Sequence, residues 1–433
     1  MIPLELAEVE RLVEGELHAA PWADEITGVR IDSRELAEGD LFVAVGRGAD
    51  FRKHAFARGA AATLVPSDAF AALAALGRAV RERSSATVAG ITGSTGKTST
   101  KDILAALSQP HRRTVAAEHG FNNELGLPLT LCRIEPDTEV VIAELGMRGL
   151  GQIRALCELA RPHLGVITSI APVHLELLGT LERVAEAKAE ILQSLPPGGI
   201  GIVPAGVREL EQFIPGEAID VWTFGPGGAS SVERFERHGA SSRIVFNLRG
   251  AEVEVDFTFT ARYHATNALA ALLAADALGL PRPTGLVEVE FARWRGAEAP
   301  LPGGGVLIND AWNANPVSMR AALEHLRERA GDRRKVAVLG EMAELGPDAA
   351  AYHRRVGEDA AEAGVDFLVA VGPLASHYLE TFAGPSRHTT EVDHDELARW
   401  LEAELEPGDC VLVKGSRKLA LEVVAEALAA VTL

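Results

Sequence analysis

The sequence predicts an α/β protein of three domains. Its 433 residues are too many for one ordinary domain, and 47% of them are apolar, which is enough for several cores. Short apolar runs alternate with helical patterns along most of the chain, as expected for parallel sheets covered by helices. Residues 241–260 instead alternate apolar and polar side chains, which is typical of antiparallel strands. We expect domains at 1–85, 86–300 and 301–433.

The first domain is predicted from a few local patterns. The apolar run at residues 41–45 indicates a strand, and the alanine-rich stretch at 69–82 indicates a helix. Residues 81–85 are charged and polar, so they predict a linker to the second domain. A second boundary is predicted at residues 300–305, which are rich in Pro and Gly and are expected to act as a hinge.

Composition argues against two classes of partner. The net charge of −19 disfavours nucleic acid and anionic membranes as partners. The three cysteines, Cys132, Cys157 and Cys410, lie far apart and form no metal-ligand spacing, so we interpret them as buried thiols. The N-terminus lacks a basic region followed by an apolar one, and no stretch is long and apolar enough to span a bilayer. We therefore expect a cytoplasmic protein.

A glycine-containing loop follows the predicted strand 87–92 and precedes a predicted helix that runs through Leu107. In that context glycines let successive N–H groups face one anion, and the helix adds its positive dipole end. Lys97 can reach terminal phosphates, and the Thr98 hydroxyl can reach Mg²⁺. The alternative is an ordinary glycine turn. We predict a nucleotide-phosphate loop made of Gly93, Ser94, Thr95, Gly96, Lys97, Thr98 and Ser99.

Two side chains follow further predicted strands of the second domain. Glu144 ends the apolar run 140–145, and His174 follows the run 164–170. Ligands bind at the carboxyl ends of strands in open parallel sheets, and a carboxylate there can bind Mg²⁺. The alternatives are a solvated glutamate at a strand end and a structural histidine.

Lys188 occupies an unusual position in a helix predicted to start near Thr180. It lies on the apolar stripe that Val184, Ile191 and Leu195 form at helical spacing. One interpretation is a lysine whose ammonium group reaches solvent at the edge of the stripe. The other is a buried lysine near a metal ion, open to chemical modification.

Polar residues also follow strands predicted in the third domain. Each of them taken singly is compatible with an ordinary loop. Asn267 lies near a helix start in the second domain. Together with it, these residues fall at the carboxyl ends of strands in two α/β units, and those ends can face each other across one cleft. These candidates are Asp310, Asn313, Asn315, Lys414, Ser416 and Arg417.

These motifs resemble those of the Mur ligases of peptidoglycan synthesis, and the resemblance covers nearly the whole chain. Its marks are residues 32–34 with 39–44, 92–98, 122–128, 313–316 with 318 and 319, 339–346 with His353, and 414–417. The resemblance implies a central P-loop parallel-sheet domain between a small N-terminal α/β domain and a C-terminal Rossmann-like domain. It also implies an enzyme that uses ATP and Mg²⁺ to join UDP-N-acetylmuramoyl-tripeptide and D-alanyl-D-alanine. We expect a monomer, although the sequence itself leaves the oligomeric state open.

The resemblance further implies roles for residues at matching positions. Lys97, Lys188 and Arg295 would be catalytic, with Lys188 carbamylated and Arg295 near the γ-phosphate. Thr98 and Glu144 would hold one Mg²⁺, and His174 and Lys188 a second. Nucleotide contacts would come from Asn267 and Asp310. The substrates would be held by Ser33 and Arg34 at the uridine end, by Asn122 and Asn123 at the tripeptide, and by Asn313, Asn315, Lys414, Ser416 and Arg417.

Several positions depart from the family pattern, and we expect these departures to affect substrate recognition more than catalysis. They are Arg52-Lys53 before His54, His119-Gly120, Tyr263-His264, Asn309 and Trp312. The nearest alternatives share the family fold: ligases that add earlier stem-peptide residues, and folylpolyglutamate synthase. A nucleotide-hydrolysing switch is an alternative of another class. The third residue of the tripeptide, diaminopimelate or lysine, stays open at this point.

Overall fold

The computed structural model describes residues 1–118 and 120–430. The departure noted at His119 therefore lies outside the described residues. Strands and helices alternate along the chain in three sheet-containing regions, and this confirms the predicted α/β class. None of the helices in the described ranges combines the length and the apolar character that crossing a membrane requires.

The first region contains a four-stranded sheet in which the predicted strand 41–45 is found as Asp40–Val43, fully buried. The sheet order is Gly15–Ala19, Ala62–Pro66, Asp40–Val43 and Gly28–Arg30. The predicted helix at 69–82 is confirmed, and it begins where the Asp68 carboxylate accepts hydrogen bonds from two backbone N–H groups. The remaining elements are the strand pair Leu4–Glu5 with Glu25–Ile26, the helices Leu6–Leu12 and Arg52–Ala57, and the 3₁₀ helix Gly46–Phe51.

The central region is built on six parallel strands. Their apolar side chains are buried on both faces, which explains the continuous apolar runs in the sequence. The order across the sheet is Asp220–Phe224, Ile200–Pro204, Leu164–Ile167, Thr87–Thr92, Val140–Glu144 and Thr114–Ala116. The strand that feeds the glycine loop, Thr87–Thr92, thus lies between the strands that precede His174 and end in Glu144.

Helices cover both faces of this central sheet. They are Lys97–Ser108, Gly126–Leu131, Gln152–Ala160, Leu175–Leu178, Leu181–Gln193, Arg208–Glu211 and Tyr263–Ala277, with the 3₁₀ helix Gly216–Ala218. A second sheet packs beside it, in the order Ser231–His238, Ser241–Leu248, Ala251–Phe257 and Leu286–Val287. Its first three strands are antiparallel, which confirms the prediction from the alternating pattern at 241–260.

The third region contains six strands in the order Ala297–Leu301, Gly305–Asn309, Cys410–Lys414, Lys335–Gly340, Phe367–Val371 and Ser386–Thr389. All neighbours are parallel except the first pair. The helices of this region are Pro316–Ala330, Ala349–Glu362, His394–Glu404 and Glu422–Ala430. Its 3₁₀ helices are Pro302–Gly304, Gly346–Asp348, Pro373–Glu380 and Arg417–Leu419.

The predicted hinge at residues 300–305 is wrong. Leu301 pairs with Gly305 across a tight antiparallel hairpin, so this Pro- and Gly-rich segment is a turn inside the third sheet. The predicted boundary at 300 cuts through the strand Ala297–Leu301. We therefore propose that the second and third domains divide in residues 288–296, between the last strand of the antiparallel sheet and the first of the third sheet.

The first two regions share one apolar core. Leu4 and Leu73 of the first region belong to the same buried cluster as Leu127 and Ile153 of the second. The predicted linker at 81–85 is wrong at its start, because Arg81 is buried in the helix Ala69–Glu82 and its Nε donates to the carbonyl of Ala160 at 2.8 Å. The helix therefore packs directly against the central domain.

Candidate active site

A cleft of about 720 Å³ lies where the carboxyl ends of the central and third sheets face each other. It brings together most of the residues predicted from strand ends and from the family resemblance. From the central region they are Ser94, Thr95, Gly96, Lys97, Thr98, Ser99, Asn122, Asn123, Glu144, His174, Lys188 and Asn267. The connecting segment contributes Arg295, and the third region contributes Asp310, Asn313, Asn315 and Lys414.

The glycine loop is held in a conformation that needs both of its glycines. Gly93 has φ 149°, and a Cβ there would lie 1.9 Å from the Thr168 hydroxyl. Gly96 has φ 82° and forms the N-cap of the helix Lys97–Ser108. The Thr95 N–H donates to the hydroxyl of Ser169 at 2.9 Å, which ties the loop to the neighbouring strand end. Such a loop presents backbone N–H groups and a helix N-terminus to an anion.

Substituting Gly96 by alanine is expected to weaken ATP binding at least about tenfold, which corresponds to about 1.4 kcal/mol. The new methyl group would lie 2.3 Å from Oδ1 of Asn267, so the loop or Asn267 must move away from the cleft. Calorimetric titration with a non-hydrolysable ATP analogue measures the effect. Gly279→Ala is the matched control, because Gly279 has φ 66° but open space around its Cα. Equal affinities for the two variants would contradict the prediction.

Thr98 and Glu144, the residues predicted to hold the first cation, both line the cleft. Glu144 is buried at the end of its strand, and one of its oxygens accepts a hydrogen bond from Nδ2 of Asn122 at 2.9 Å. The Thr98 hydroxyl accepts a hydrogen bond from Nη2 of Arg295 at 3.2 Å. Lys97 donates to the Gly93 carbonyl at 2.8 Å; burial lowers the pKa of its ammonium group, an effect that Glu144 opposes.

Lys188 is only 2% exposed, within the helix Leu181–Gln193. The interpretation of a lysine that reaches bulk solvent is therefore wrong. Burial lowers the pKa of Lys188 well below its usual value, and the nearby positive charge of Lys97 lowers it further. Lys188 also lines the cleft.

His174 reaches the cleft from a left-handed backbone conformation with φ 54°. Its Nδ1 donates to a carboxylate oxygen of Glu344, a residue of the third domain. Burial lowers the pKa of His174, while the hydrogen bond and the negative charge of Glu344 act in the opposite direction. Within residues 1–118 and 120–430, no three His, Cys, Asp or Glu side chains form a metal-binding group.

The third domain contributes an ion pair to the cleft. Nζ of Lys414, which is 2% exposed, lies 2.6 Å from a carboxylate oxygen of Asp310 and donates to the carbonyl of Asn313 at 2.9 Å. Asn315 caps the helix Pro316–Ala330, because its side-chain oxygen accepts from the N–H of Ser318 at 2.9 Å. Internal hydrogen bonds thus hold the turn 310–315 at the cleft that the glycine loop also lines.

Comparison with known proteins agrees with this architecture. Residues 91–275 match the Mur ligase middle domain, and residues 298–417 match the Mur ligase glutamate ligase domain. The chain is 34% identical to UDP-N-acetylmuramoyl-tripeptide–D-alanyl-D-alanine ligase of Escherichia coli, with 99% of each chain covered. The chain belongs to the Mur ligase family. As a Mur ligase it is an ATP-dependent ligase, as predicted, and not a nucleotide-hydrolysing switch.

Solved structures show the same three-domain Mur ligase fold. The structure of MurF from Acinetobacter baumannii is 27% identical, covers 99% of both chains and has a TM-score of 0.84. A MurF ligase from Thermotoga maritima, solved in complex with ADP, is also 27% identical, with a TM-score of 0.79 over 93% of this chain and 97% of that one. The predicted P-loop domain between two smaller α/β domains is therefore confirmed.

Five of the predicted residues do not line the cleft of this Mur ligase. The Gly93 carbonyl accepts from Lys97, and in the first domain the Ser33 hydroxyl lies 3.0 Å from Nδ1 of His54. Arg34 forms an ion pair with Asp32. Ser416 and Arg417 have partners within the third domain: the Ser416 hydroxyl accepts from the N–H of Ala343 at 2.8 Å, and Arg417 pairs with Glu422.

Several cleft residues of this Mur ligase were not predicted as functional. Tyr263 and His264 line the cleft, although in the sequence they stood out only as departures from the family pattern. Trp312 also lines it and stacks on Trp294, with ring centroids 5.9 Å apart. Glu344 does not line the cleft itself but bonds to His174, which does, and its motif gave no indication of contact with the central domain.

Proposed function

We propose that this Mur ligase joins D-alanyl-D-alanine to UDP-N-acetylmuramoyl-tripeptide, using ATP. The likeness over the full length to a ligase with these substrates supports the proposal most directly. The cleft is consistent with it, because the glycine loop and the polar turn 310–315 of another domain both line it. An enzyme that couples ATP to the joining of two further molecules needs such a shared cleft.

The chemistry starts from a poor electrophile, since the charge of a carboxylate is delocalised and an oxide is a poor leaving group. A carboxylate oxygen attacks the γ-phosphorus, the bond to the bridging oxygen breaks, and ADP leaves. The amine of the dipeptide then attacks the carbonyl of the acyl phosphate. Phosphate leaves with the former carboxylate oxygen, and the amine loses a proton. The protein must position these groups, stabilise charge and exclude water.

The nucleotide would lie along the glycine loop, with its phosphates on the N-terminus of the helix Lys97–Ser108. Lys97 would exchange its contact with the Gly93 carbonyl for a phosphate oxygen. Arg295 would also contact a phosphate oxygen, from the other side of the phosphate chain. Its buried Nε has no hydrogen-bond partner within the described ranges of the chain, and a phosphate oxygen would supply one. Asn267 and Asp310 would hold the adenosine part.

The donor atoms at the cleft suit Mg²⁺. Thr98 offers a hydroxyl and Glu144 a buried carboxylate, which are hard oxygen ligands of the kind Mg²⁺ takes together with phosphate oxygens. His174 and a carbamylated Lys188 would hold a second ion. Bound Mg²⁺ would neutralise charge on the transferring phosphoryl group. These side chains would orient the phosphate chain and would keep the reacting carboxylate in line with the γ-phosphorus.

The two acceptor substrates would enter from opposite sides. Ser33 and Arg34 would bind the uridine end in the first domain, and Asn122 and Asn123 the tripeptide. The turn with Asn313 and Asn315, and Lys414, would bind the dipeptide. We assign Ser416 and Arg417 a supporting part, because internal partners already hold the Ser416 hydroxyl and the Arg417 guanidinium. Nucleic acids and membranes have no part in this proposal.

We also propose that the enzyme works in the cytoplasm as a monomer. ATP is a cytoplasmic substrate, and the three cysteines of the chain are buried free thiols, as expected where thiols stay reduced. A single chain contains the cleft with residues from its own central and third domains, so one protomer supplies the proposed site. Sedimentation of the purified chain measures its oligomeric state directly.

Phosphate release tests the proposed reaction. We expect release from ATP only when a UDP-N-acetylmuramoyl-tripeptide and D-alanyl-D-alanine are both present, because the acid accepts the phosphoryl group and the amine completes the turnover. Parallel reactions with the diaminopimelate and lysine tripeptides identify the third residue. Free D-alanine and glutamate, in place of the dipeptide, serve as controls for the related ligases. Release with either control amine but not with the dipeptide would refute the substrate assignment.

A further inference from the structure

The motif at residues 339–346 takes no part in the chemistry proposed above, yet it forms a firmly held loop. It leaves the carboxyl end of the strand Lys335–Gly340 in the third sheet. The N–H of Met342 donates to Nε2 of His353 at 3.0 Å, and the N–H of Ala343 donates to the Ser416 hydroxyl at 2.8 Å. A carboxylate oxygen of Glu341 accepts from the N–H of Leu374 at 2.9 Å. The third domain thus fixes the loop by its own contacts.

The end of this loop meets the central domain at His174. Glu344 has φ 61° and His174 has φ 54°, so two residues other than glycine adopt the left-handed conformation on opposite sides of one contact. The carboxylate of Glu344 accepts from Nδ1 of His174 and lies 3.5 Å from the guanidinium of Arg148. The backbone N–H of Glu176 also donates to the carbonyl of Glu344, at 3.3 Å. Side-chain and backbone contacts therefore dock the loop on the His174 turn.

The hydrogen bond determines which nitrogen of His174 can act as a ligand. A carboxylate only accepts hydrogen bonds, so the ring proton must be on Nδ1, and the lone pair is then on Nε2. His174 lines the cleft, where that lone pair can bind a cation. Ligating histidines typically have their other nitrogen bonded to a carboxylate in this way. Here the carboxylate comes from a different domain than the histidine.

We propose that Glu344 is a positioning residue, which fixes the tautomer and orientation of His174 and so completes the cation site only when the third domain is docked. The inference rests on the proposed function, because it assumes that His174 binds a cation during ligation. Docking of the third domain, which would hold the dipeptide, would thus complete the cation site beside the phosphates in the central domain. Glu344 does not line the cleft, so it would act on the cation only through His174.

The test uses the full chain with ¹⁵N-labelled histidine, observed by NMR at about pH 8, where an ordinary histidine is neutral. The His174 signals are assigned by their loss in His174→Gln. We expect the Nδ1–H tautomer in the wild type and in Glu344→Gln, whose amide oxygen still accepts a hydrogen bond. Glu344→Ala should show a mixture of tautomers. Glu358→Ala, which removes a third-domain carboxylate 2.7 Å from Arg355, is the matched control and should resemble the wild type.

The second measurement is the Mg²⁺ concentration that gives half-maximal phosphate release. It should rise about 10–100-fold in Glu344→Ala and stay near the wild-type value in Glu344→Gln and Glu358→Ala. An unchanged tautomer in Glu344→Ala would overturn the inference, even if that variant unfolds more easily, because the residue would then be merely structural. A wild type without substrate-dependent phosphate release would refute the proposed function instead, whatever tautomer is observed.

Discussion

Replacing Lys97 by alanine is expected to slow ligation about 100- to 1,000-fold while the fold stays intact. The ammonium group would stabilise charge that develops on the transferring phosphoryl group, so its loss raises the barrier of that step. The hydrogen bond of Lys97 in the structure goes to the carbonyl of Gly93, within the loop itself. Burying a lysine is unfavourable, so its removal should cost little stability. Phosphate release and urea unfolding measure the two effects.

A second lysine on the same helix is the matched control. Lys101 is buried, but its Nζ donates to the carbonyl of Ala117 at 2.9 Å and pairs with Asp102, away from the cleft lining. Lys101→Met should therefore lower the free energy of unfolding and leave turnover close to normal. If Lys97→Ala turns over normally in a folded state, the assignment of the phosphate loop is wrong.

Replacing Lys188 by alanine is expected to reduce ligation about 100-fold, because we predict that this residue acts as a carbamate. Burial and the neighbouring charge of Lys97 favour the neutral amine. A neutral amine adds to CO₂ and loses a proton, which gives an anion on the wall of the cleft. That anion would bind the second Mg²⁺ beside His174, where a free ammonium group would repel it.

One further variant, together with added acetate, distinguishes a carbamate on Lys188 from a simple positive charge. Acetate should restore part of the activity of Lys188→Ala, because it supplies a short carboxylate to the vacated site. The same acetate should not restore Lys97→Ala, which lacks a cation. Lys188→Arg keeps a positive charge but cannot form a carbamate, so it should stay inactive. Full activity in Lys188→Arg would mean that only the charge matters.

The positions of the cleft residues within each sheet were predictable from the sequence. Glu144 ends a buried apolar run, Lys97 and His174 follow two others, and parallel strands bring their carboxyl ends to one edge. Asp310 and Lys414 do the same in the third sheet, which explains why they form an ion pair at 2.6 Å. Local patterns are sufficient here because each run of apolar residues indicates both the strand and the position where the strand ends.

Contacts between domains were not predictable in this way. The sequence shows that Glu344 lies in a motif, but its contact with His174 depends on how two domains are oriented, and no local pattern encodes that orientation. The hinge prediction failed for a related reason. Proline and glycine at residues 300–305 mark a turn, and the composition does not distinguish a turn inside one sheet from a joint between two.

Because the first two domains share a core, we expect them to unfold as one cooperative unit. Leu73 and Ile153 are buried in the same cluster, so neither domain can unfold without exposing apolar surface of the other. The two buried clusters of the third domain contain, in the described part of the chain, no fully buried member before Leu301. A protease that cuts within residues 288–296 should therefore release a third domain that stays folded, whereas a cut after Glu82 should leave two fragments that aggregate. In folding terms the chain has two modules, although it has three domains.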